Sequence, residues 1–153
     1  RRPAHFPMIR VADGRMVGVA AWRIEYEGRA FARFFTSLPE YEQAVLTAAI
    51  EHVLAVQGID ICAGEWGKPL GDGLYEFRVR RSLRAILSEA GLDAGAVPGS
   101  DRSVLIRVFC TFYGDKIVLL HHGYDKKRDP SERRQQREIA KARRQHQEWK
   151  RNH

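Results

Sequence analysis

Residues 74–80, LYEFRVR, and residues 103–127, SVLIRVFCTFYGDKIVLLHHGYDKK, contain three strand-like runs separated by an insert. The runs are bounded by Asp72-Gly73, by Gly114-Asp115 and by Gly123. Gly and Asp between two β-rich runs are typical of a hairpin. We therefore predict an antiparallel meander of three strands, interrupted once by an insert at about 81–103.

The charged residues of these runs lie on one side of the predicted sheet, because successive side chains of a strand point to opposite faces. Glu76 and two arginines alternate with apolar residues in the first run, and Arg107 lies between Ile106 and Val108 in the second. The third run, 117–120, is apolar throughout. We expect a core on one face and, on the other face and its rim, a polyanion-binding surface that consists of Arg78, Arg80, Arg107, Lys126 and Lys127.

The size and composition of the chain are those of one globular domain. With 153 residues, of which 44 % are apolar, it can bury a core without disulfides. Cys62 and Cys110 have neither CxxC nor zinc-ligand spacing, which indicates reduced thiols. We find no apolar run of the roughly 20 residues that a membrane helix needs, and no signal-peptide pattern. We expect a cytoplasmic protein that does not bind membranes.

Positive charge is concentrated in the C-terminal part of the chain. The net charge is +7, and residues 125–153 contribute +6 of it, with 11 Lys and Arg against 5 Asp and Glu. A basic surface of this kind is typical of proteins that bind nucleic acid.

The N-terminal part predicts a leader, one strand and two helices. We expect residues 1–16 to be a disordered leader or expression remnant, and residues 17–153 to form the domain. Residues 17–26 are β-rich, and residues 29–37 have the periodicity of a short helix. The sequence Ser37-Leu38-Pro39-Glu40 has the pattern of a capping box, which predicts a second helix that ends at Gly58. We expect both helices to cover the core face of the sheet.

Two segments next to the meander have two interpretations each. Residues 60–73 are rich in turn-forming residues and predict a loop. Its Lys68 either binds RNA at the arginine face or is an ordinary exposed lysine. The insert at 81–103 combines a helical pattern with a flexible return, and is either a functional flap beside Arg78 and Arg107 or a tolerated insertion.

The C-terminal segment predicts one long basic helix. The sequence DPSE at 129–132 is typical of a helix start, and the helical pattern continues to about residue 149. Its charges either form a solvated face or contact RNA, in which case we expect Arg133, Arg134 and Arg137 to do so. A thin apolar stripe along this helix consists of Ile139, Ala142, His146 and Trp149.

The segments KPLGDGLYEFRV (68–79) and LIRVFCTFYGDKIVLLHHGYDKK (105–127), followed by the arginine-rich helix, resemble the RelE superfamily of toxins and, within it, the phage-type HigB branch. The resemblance covers residues 22–149 apart from the insert, and is most specific at GLYEFR and IVLLHHGYDKK. It implies an α+β fold with an antiparallel sheet, two N-terminal helices packed on it and a basic C-terminal helix. Family members are small endoribonucleases that cut mRNA in the ribosomal A site without a metal or other cofactor.

The chemistry that this resemblance implies is attack of a ribose 2′-hydroxyl on the adjacent phosphate. The reaction requires a base, an acid and cations that stabilise the phosphorane. Arg78, Arg107 and the Lys126-Lys127 pair match basic positions of the family, and Arg78, Arg107 and Lys127 are the expected catalytic cations. Arginine suits this role because its planar group can bond two oxygens at once.

Two departures from the family pattern leave the acid and the base open. Glu76 stands where other members have a lysine, and the arginine-rich helix replaces a C-terminal tyrosine. His122 is the expected acid or base because imidazole titrates near neutral pH, the alternative being a hydrogen-bonded structural histidine. His121 and His122 are adjacent, so they should diverge on a strand and bind no metal. Other candidates for the acid or base are His121, Tyr113 and Tyr124.

We therefore expect the toxin of a type II toxin–antitoxin pair, a ribosome-dependent mRNA endoribonuclease that inhibits translation and arrests growth. Its expected partners are the ribosome, mRNA and a helix-turn-helix antitoxin. One alternative is a catalytically weak module of the same fold that binds RNA or the antitoxin. Another is a phage or plasmid structural protein with an incidental basic tail.

Overall fold

The computed structural model describes residues 4–5, 21–95 and 98–153, and within them it is an α+β fold, as expected. Its mixed sheet has the strand order β1-β2-β6-β5-β4-β3. The strands are β1 (Ala4–His5), β2 (Arg23–Tyr26), β3 (Gly67–Gly71), β4 (Leu74–Val79), β5 (Ile106–Tyr113) and β6 (Ile117–Asp125). The helices are α1 (Ala30–Ser37), α2 (Glu40–Ala49), α3 (Ala55–Gln57), α4 (Leu83–Glu89) and α5 (Glu132–Arg151).

The predicted meander is present, but the expectation of a wholly antiparallel sheet is wrong. β4, β5 and β6 pair antiparallel in sequence order. β2 instead runs parallel to β6, with Arg23 opposite Ile117 and Tyr26 opposite Leu120. Alternation along a strand shows which side chains share a face and contains no information about strand direction, so the sequence pattern does not distinguish the two pairings.

The first predicted strand is shorter than expected in the described part of the chain. It is seen at Arg23–Tyr26, and residues 17–20 lie outside the described residues. The predicted disordered leader, 1–16, also lies outside them except for Ala4–His5, whose backbone pairs with β2 and so departs from that expectation.

Residues 60–73 are not simply the predicted loop. A 3₁₀ helix, Gly58–Ala63, is followed by β3, which pairs with β4 at the edge of the sheet. Pro69 lacks an N–H donor, and proline is tolerated mainly in edge strands, where no ladder bond is lost. The turn-forming composition therefore indicates an edge strand here.

The two N-terminal helices begin close to their predicted positions, but Ser37 does not cap the second one. Its hydroxyl donates to the carbonyl of Phe34 at 2.6 Å, so it ends α1 instead of forming a capping box. Helical structure continues from α2 through a π-helical segment, Ile50–Leu54, and α3. The chain turns at Gly58, the predicted helix stop, where φ is +54°.

The helical segment Glu40–Ala63 has the length and composition of a membrane span, contrary to the expectation that no such run exists. The mean hydropathy of its most apolar 18 residues is 1.5, and 61 % of this 18-residue stretch is buried inside the fold. The core helix of a soluble protein passes the same test, so this segment is weak evidence for a membrane span.

The sheet separates two apolar clusters. The first contains the buried faces of α1, α2 and the π-helical segment together with the strand residues Phe77, Val79, Val108, Cys110 and Leu120. The second lies under α5, where Ala142 and Ile139 pack with Leu74, Phe109 and Tyr124. The side of the sheet predicted to carry arginines is therefore partly a core, covered by the predicted stripe of α5.

The helix of the insert belongs to the first cluster. Leu83 and Ile86 of α4 are buried there, and the Tyr41 hydroxyl donates to the carbonyl of Arg102 at 2.6 Å. Arg102 also lies 2.6 Å from a carboxylate oxygen of Glu42. The helical half of the insert therefore packs on the face opposite Arg107 and is not a flap over the arginines.

Candidate nucleic-acid interface

β4 and β5 place one carboxylate against two guanidinium groups. Arg78 and Arg107 are opposite each other in the register, and Glu76 lies two residues before Arg78 on the same face. The Nε of Arg78 donates to Glu76 Oε1 at 2.8 Å, and the Nε of Arg107 lies 4.0 Å from the same oxygen. We call Glu76, Arg78 and Arg107 the arginine cluster.

The centre of the arginine cluster is buried and incompletely hydrogen-bonded. Glu76 is fully buried and Arg107 is 4 % exposed. Within the described residues, Glu76 Oε2, Arg107 Nη1 and the neighbouring Tyr124 hydroxyl have no hydrogen-bond partner. A buried polar group without a partner costs about 1–3 kcal/mol. A bound phosphate and its sugar hydroxyl could provide the missing partners.

The charges around Arg107 favour binding of an anion. Burial lowers the pKa of Arg107 from its ordinary value, Glu76 opposes this shift, and the charges of Arg78 and Arg80 lower it further. Arg107 nevertheless stays protonated at neutral pH, because the guanidinium group is not deprotonated in proteins. Burial also lowers the pKa of Lys126, and the charge of Arg107 acts in the same direction. An anion among these groups would relieve their mutual repulsion.

The two lysines after β6 have different surroundings. Lys126 Nζ donates to Gln135 of α5 at 3.2 Å, and its charge interacts with Arg107. Lys127 Nζ donates to the carbonyl of Ser103, in the return of the insert, at 3.1 Å. Lys126 therefore belongs to the surroundings of the arginine cluster, whereas Lys127, the predicted catalytic lysine, is bonded to the insert.

Two predicted RNA-binding residues lie at the rim of the arginine cluster. Lys68 of β3 is exposed and opposite Glu76 in the register, so it shares the face of Glu76. Arg80 follows β4 and is also exposed, with one guanidinium nitrogen 3.9 Å from Glu65. Both side chains are accessible from solvent.

A β-bulge places His121 and His122 on the same face of the sheet, contrary to the expectation that they diverge. Phe109 is opposite His122, but Cys110 is opposite Leu120, so β6 has one extra residue at this point. His121 forms a 2.8 Å hydrogen bond to Thr111, and its ring lies 5.7 Å from that of His146 on α5. An extra residue breaks the alternation of a strand, and no pattern in the sequence marks it.

His122, the predicted acid or base, is held by α5. Its Nδ1 lies 2.7 Å from Gln145 Oε1, and its Nε2 lies 3.6 Å from Glu138, too far for a hydrogen bond. Burial lowers its pKa, which favours the neutral ring. These contacts connect His122 to α5 and not to the arginine cluster. Such contacts are typical of a structural histidine.

The three arginines predicted to bind RNA on α5 differ in environment. Arg133 and Arg137 are exposed. Arg134 is half-buried, with its guanidinium 5.2 Å from the centre of the Tyr124 ring and 3.8 Å from Glu138. Arg134 therefore contributes to the packing of α5, and the other two are free to contact a ligand.

Sequence reasoning did not identify a basic groove that lies between α1, the second half of β6 and α5. The groove has a volume of about 750 Å³, with His122, Gly123 and Tyr124 at its floor. Its cations come from two distant parts of the chain, the start of α1 and residues 128–141, and only the fold brings these two parts together. These cations are Arg29, Arg33, Arg128, Arg134 and Lys141.

In the described ranges, no group of three or more His, Cys, Asp or Glu side chains is placed to hold a metal ion. Comparisons of the chain with protein-family models, with curated proteins and with solved structures give no match.

Proposed function

We propose that this protein is the toxin of a type II toxin–antitoxin pair, with a RelE-type fold, that cuts mRNA on the ribosome without a metal ion. The observation that supports this most is the arginine cluster, in which one buried carboxylate contacts two guanidinium groups and several polar atoms lack partners among the described residues. A base next to two phosphate-binding cations is what attack by a 2′-hydroxyl requires. Silencing by a helix-turn-helix antitoxin is part of the same proposal.

Each group of the cluster has a role in this reaction. The free Oε2 of Glu76 takes the proton of the 2′-hydroxyl, whose oxygen then bonds to phosphorus. Arg107 and Arg78 bond the non-bridging oxygens as their negative charge grows. The bond from phosphorus to the 5′-oxygen breaks, leaving a 2′,3′-cyclic phosphate on one fragment and a 5′-hydroxyl on the other.

Tyr124 is a better-placed proton donor for the leaving 5′-oxygen than His122. It is opposite Arg107 in the register, and its hydroxyl has no partner among the described residues. Burial raises the pKa of Tyr124, as does the charge of Glu76, so the phenol keeps its proton at neutral pH. In this role it supplies that proton as the 5′-oxygen leaves.

The test is cleavage of a translated mRNA by the wild-type protein and by Arg107→Met, which keeps bulk at a buried position. Loss of one transition-state charge contact typically lowers the rate about 10²–10³-fold, and we expect that loss here. Arg144→Met, at an exposed position of α5, is the matched control and should cut normally. A folded Arg107→Met protein that cuts at the wild-type rate would refute the proposed role.

The burial of Arg107 favours a second candidate, a catalytically weak module that binds RNA or the antitoxin. With 4 % of Arg107 exposed, a phosphate reaches its guanidinium only if neighbouring side chains move. Growth arrest distinguishes the two candidates. Arrest that persists in Arg107→Met without mRNA cleavage would support the binding module, and arrest that disappears together with cleavage would support the enzyme.

A further inference from the structure

The basic groove opens at a part of β6 that no strand covers in the described structure. β2 ends at Tyr26, opposite Leu120, so residues 121–125 pair only with β5. α1 lies beside this free edge, and Gly123 permits the close approach. A Cβ atom at Gly123 would clash with the backbone oxygen of Arg107 in β5 and would lie 2.7 Å from a ring carbon of Phe34 in α1.

The walls of the groove carry a clear excess of positive charge. Arg29 and Arg33 are exposed on the side of α1, and Lys141 is exposed on the side of α5. The two carboxylates in the lining already have cationic neighbours, since Asp125 lies 3.7 Å from Arg128 and Glu138 lies 3.8 Å from Arg134. The exposed cations are therefore available to an external anion.

The floor contains two buried polar atoms that lack partners. The hydroxyl of Tyr124 and the Nε2 of His122 belong to side chains that are 2 % exposed, and neither atom has a hydrogen-bond partner in the described part of the chain. The Nε2 of His122 faces the carboxylate of Glu138 at 3.6 Å, whereas the Tyr124 hydroxyl has no such neighbour among the described residues. Tyr124 and His122 both line the groove. A ligand in the groove would supply the hydrogen bond that the Tyr124 hydroxyl lacks.

The combination of cations with aromatic side chains favours a nucleic-acid strand over an acidic protein segment. Phe34, which is half-buried, lines the groove and can contact a base, whereas His122 and Tyr124 are 2 % exposed and contribute mainly their polar atoms. Proteins that bind single strands use a positively charged groove together with aromatic side chains that contact the bases. Acidic peptides need the cations but not the aromatic floor.

We propose that this groove is a second phosphodiester-binding site, which holds the RNA strand on one side of the cleaved phosphate. Tyr124 connects the two sites, because it lines the groove and is opposite Arg107 in the register. The identity of the strand as substrate depends on the proposed function, whereas the binding of RNA by the groove does not.

The experiment measures binding of a fluorescent 2′-O-methyl RNA of about 12 nucleotides, which cannot be cleaved and is long enough for such a site. Anisotropy titrations between about 50 and 200 mM salt give the affinity and its salt dependence. The test variant is Arg29→Gln with Arg33→Gln. The matched control is Arg144→Gln with Arg151→Gln, which removes the same charge from exposed positions outside the groove.

We expect the test variant to bind roughly tenfold more weakly at physiological salt, with a log–log slope smaller by about 1.4, because each lost phosphate contact removes about 0.7. The control should bind like the wild type. Equal affinities and slopes for the two double variants would overturn the proposal. Loss of binding to a polyglutamate peptide but not to RNA would also overturn it and would identify a protein-binding site.

Comparison of this titration with the cleavage assay of Arg107→Met separates this inference from the proposed function. If Arg107→Met cuts mRNA normally but the groove variant loses RNA affinity, the cleavage proposal fails and the groove proposal stands. If Arg107→Met is inactive but the groove variant binds RNA normally, only the groove proposal fails.

Discussion

Glu76 is a buried carboxylate with one oxygen bonded to Arg78 and one that has no hydrogen-bond partner in the described part of the chain. The alternation of side chains in LYEFRVR correctly predicted that Glu76 and Arg78 lie on the face of the sheet opposite the first apolar cluster. Alternation in the next strand correctly predicted the same face for Arg107. What the sequence could not show is that all three lie within contact distance, because their pairing depends on the register between β4 and β5. It also could not show that α5 packs on the same face of the sheet, against Leu74, Phe109 and Tyr124.

Replacement of Glu76 by glutamine tests the proposed base. Glu76→Gln keeps an acceptor for Arg78 but removes the group that takes the proton, so we expect cleavage to fall about 10²–10⁴-fold. RNA affinity should stay the same or increase, because one negative charge is lost. Glu65→Gln, at an exposed carboxylate near Arg80, is the control and should cut normally. Normal cleavage by folded Glu76→Gln would exclude this base.

His121 should make stability depend on pH. Burial lowers its pKa to about 3, with smaller contributions from the charges of His146 and His122. The unfolded chain binds the proton near pH 6.5 and the folded chain does not, so stability is full above pH 6.5 and decreases as the pH falls toward 3. Between pH 7.5 and 5 we expect the free energy of unfolding to fall by roughly 2 kcal/mol because of this residue alone.

The measurement is urea denaturation of the wild type and of His121→Gln at pH 7.5 and at pH 5. Glutamine can still bond Thr111 and does not titrate, so the variant should lose less stability over this range. A wild-type stability that is equal at the two pH values would contradict the burial of a neutral His121. His153, an exposed histidine just after the end of α5, provides the control variant His153→Gln.

At the scale of elements, α5 is attached to the sheet by a narrow contact. The predicted stripe was correct, since Ala142 and His146 are buried, and Trp149 lies 4.8 Å from the ring of Tyr113. Helical periodicity identifies such a stripe reliably because it is local. The direction of β2 and the pairing of β3 depend on residues far apart in the chain, and local patterns did not predict them.

A charge at the centre of this contact should detach α5. Ala142 is fully buried against the cluster of Leu74, Phe109 and Tyr124, so Ala142→Asp would bury a carboxylate without a partner. An uncompensated buried charge typically costs about 3–5 kcal/mol. Thermal unfolding should show a large loss of stability for Ala142→Asp and almost no loss for Ala140→Asp, because Ala140 is exposed. Equal losses in both variants would indicate that α5 does not pack as described.

At the scale of the whole molecule, the basic surface comes from several parts of the chain. Composition predicted an excess of charge after the sheet, and this is where α5 lies. The contribution of α1 to the same surface could not be foreseen, because Arg29 and Arg33 are more than 90 residues away from α5 in sequence. The fold brings them together across the free edge of β6.

Two exposed arginines in the first turns of α5, Arg133 and Arg137, should strengthen ribosome binding without selecting the cleavage site. Arg133 and Arg137 do not point at a common atom of a substrate. They attract phosphates in general, through counterion release. We expect Arg133→Gln with Arg137→Gln to weaken ribosome binding and reduce its salt dependence, with the positions of cleavage unchanged. Arg134 is left intact because it packs on Tyr124. Altered cleavage positions would mean that α5 reads the substrate.

The most direct test of the proposed function is to map mRNA 5′ ends in cells that produce the protein, using two matched reporter transcripts. One transcript has an intact start codon, and the other differs only in that this codon is destroyed. We predict new 5′ ends inside the reading frame of the translated transcript, none in its untranslated twin, and none in either when Arg107→Met is produced. Equal cutting of both transcripts, or new ends that persist with Arg107→Met, would contradict a ribosome-dependent endoribonuclease centred on Arg107.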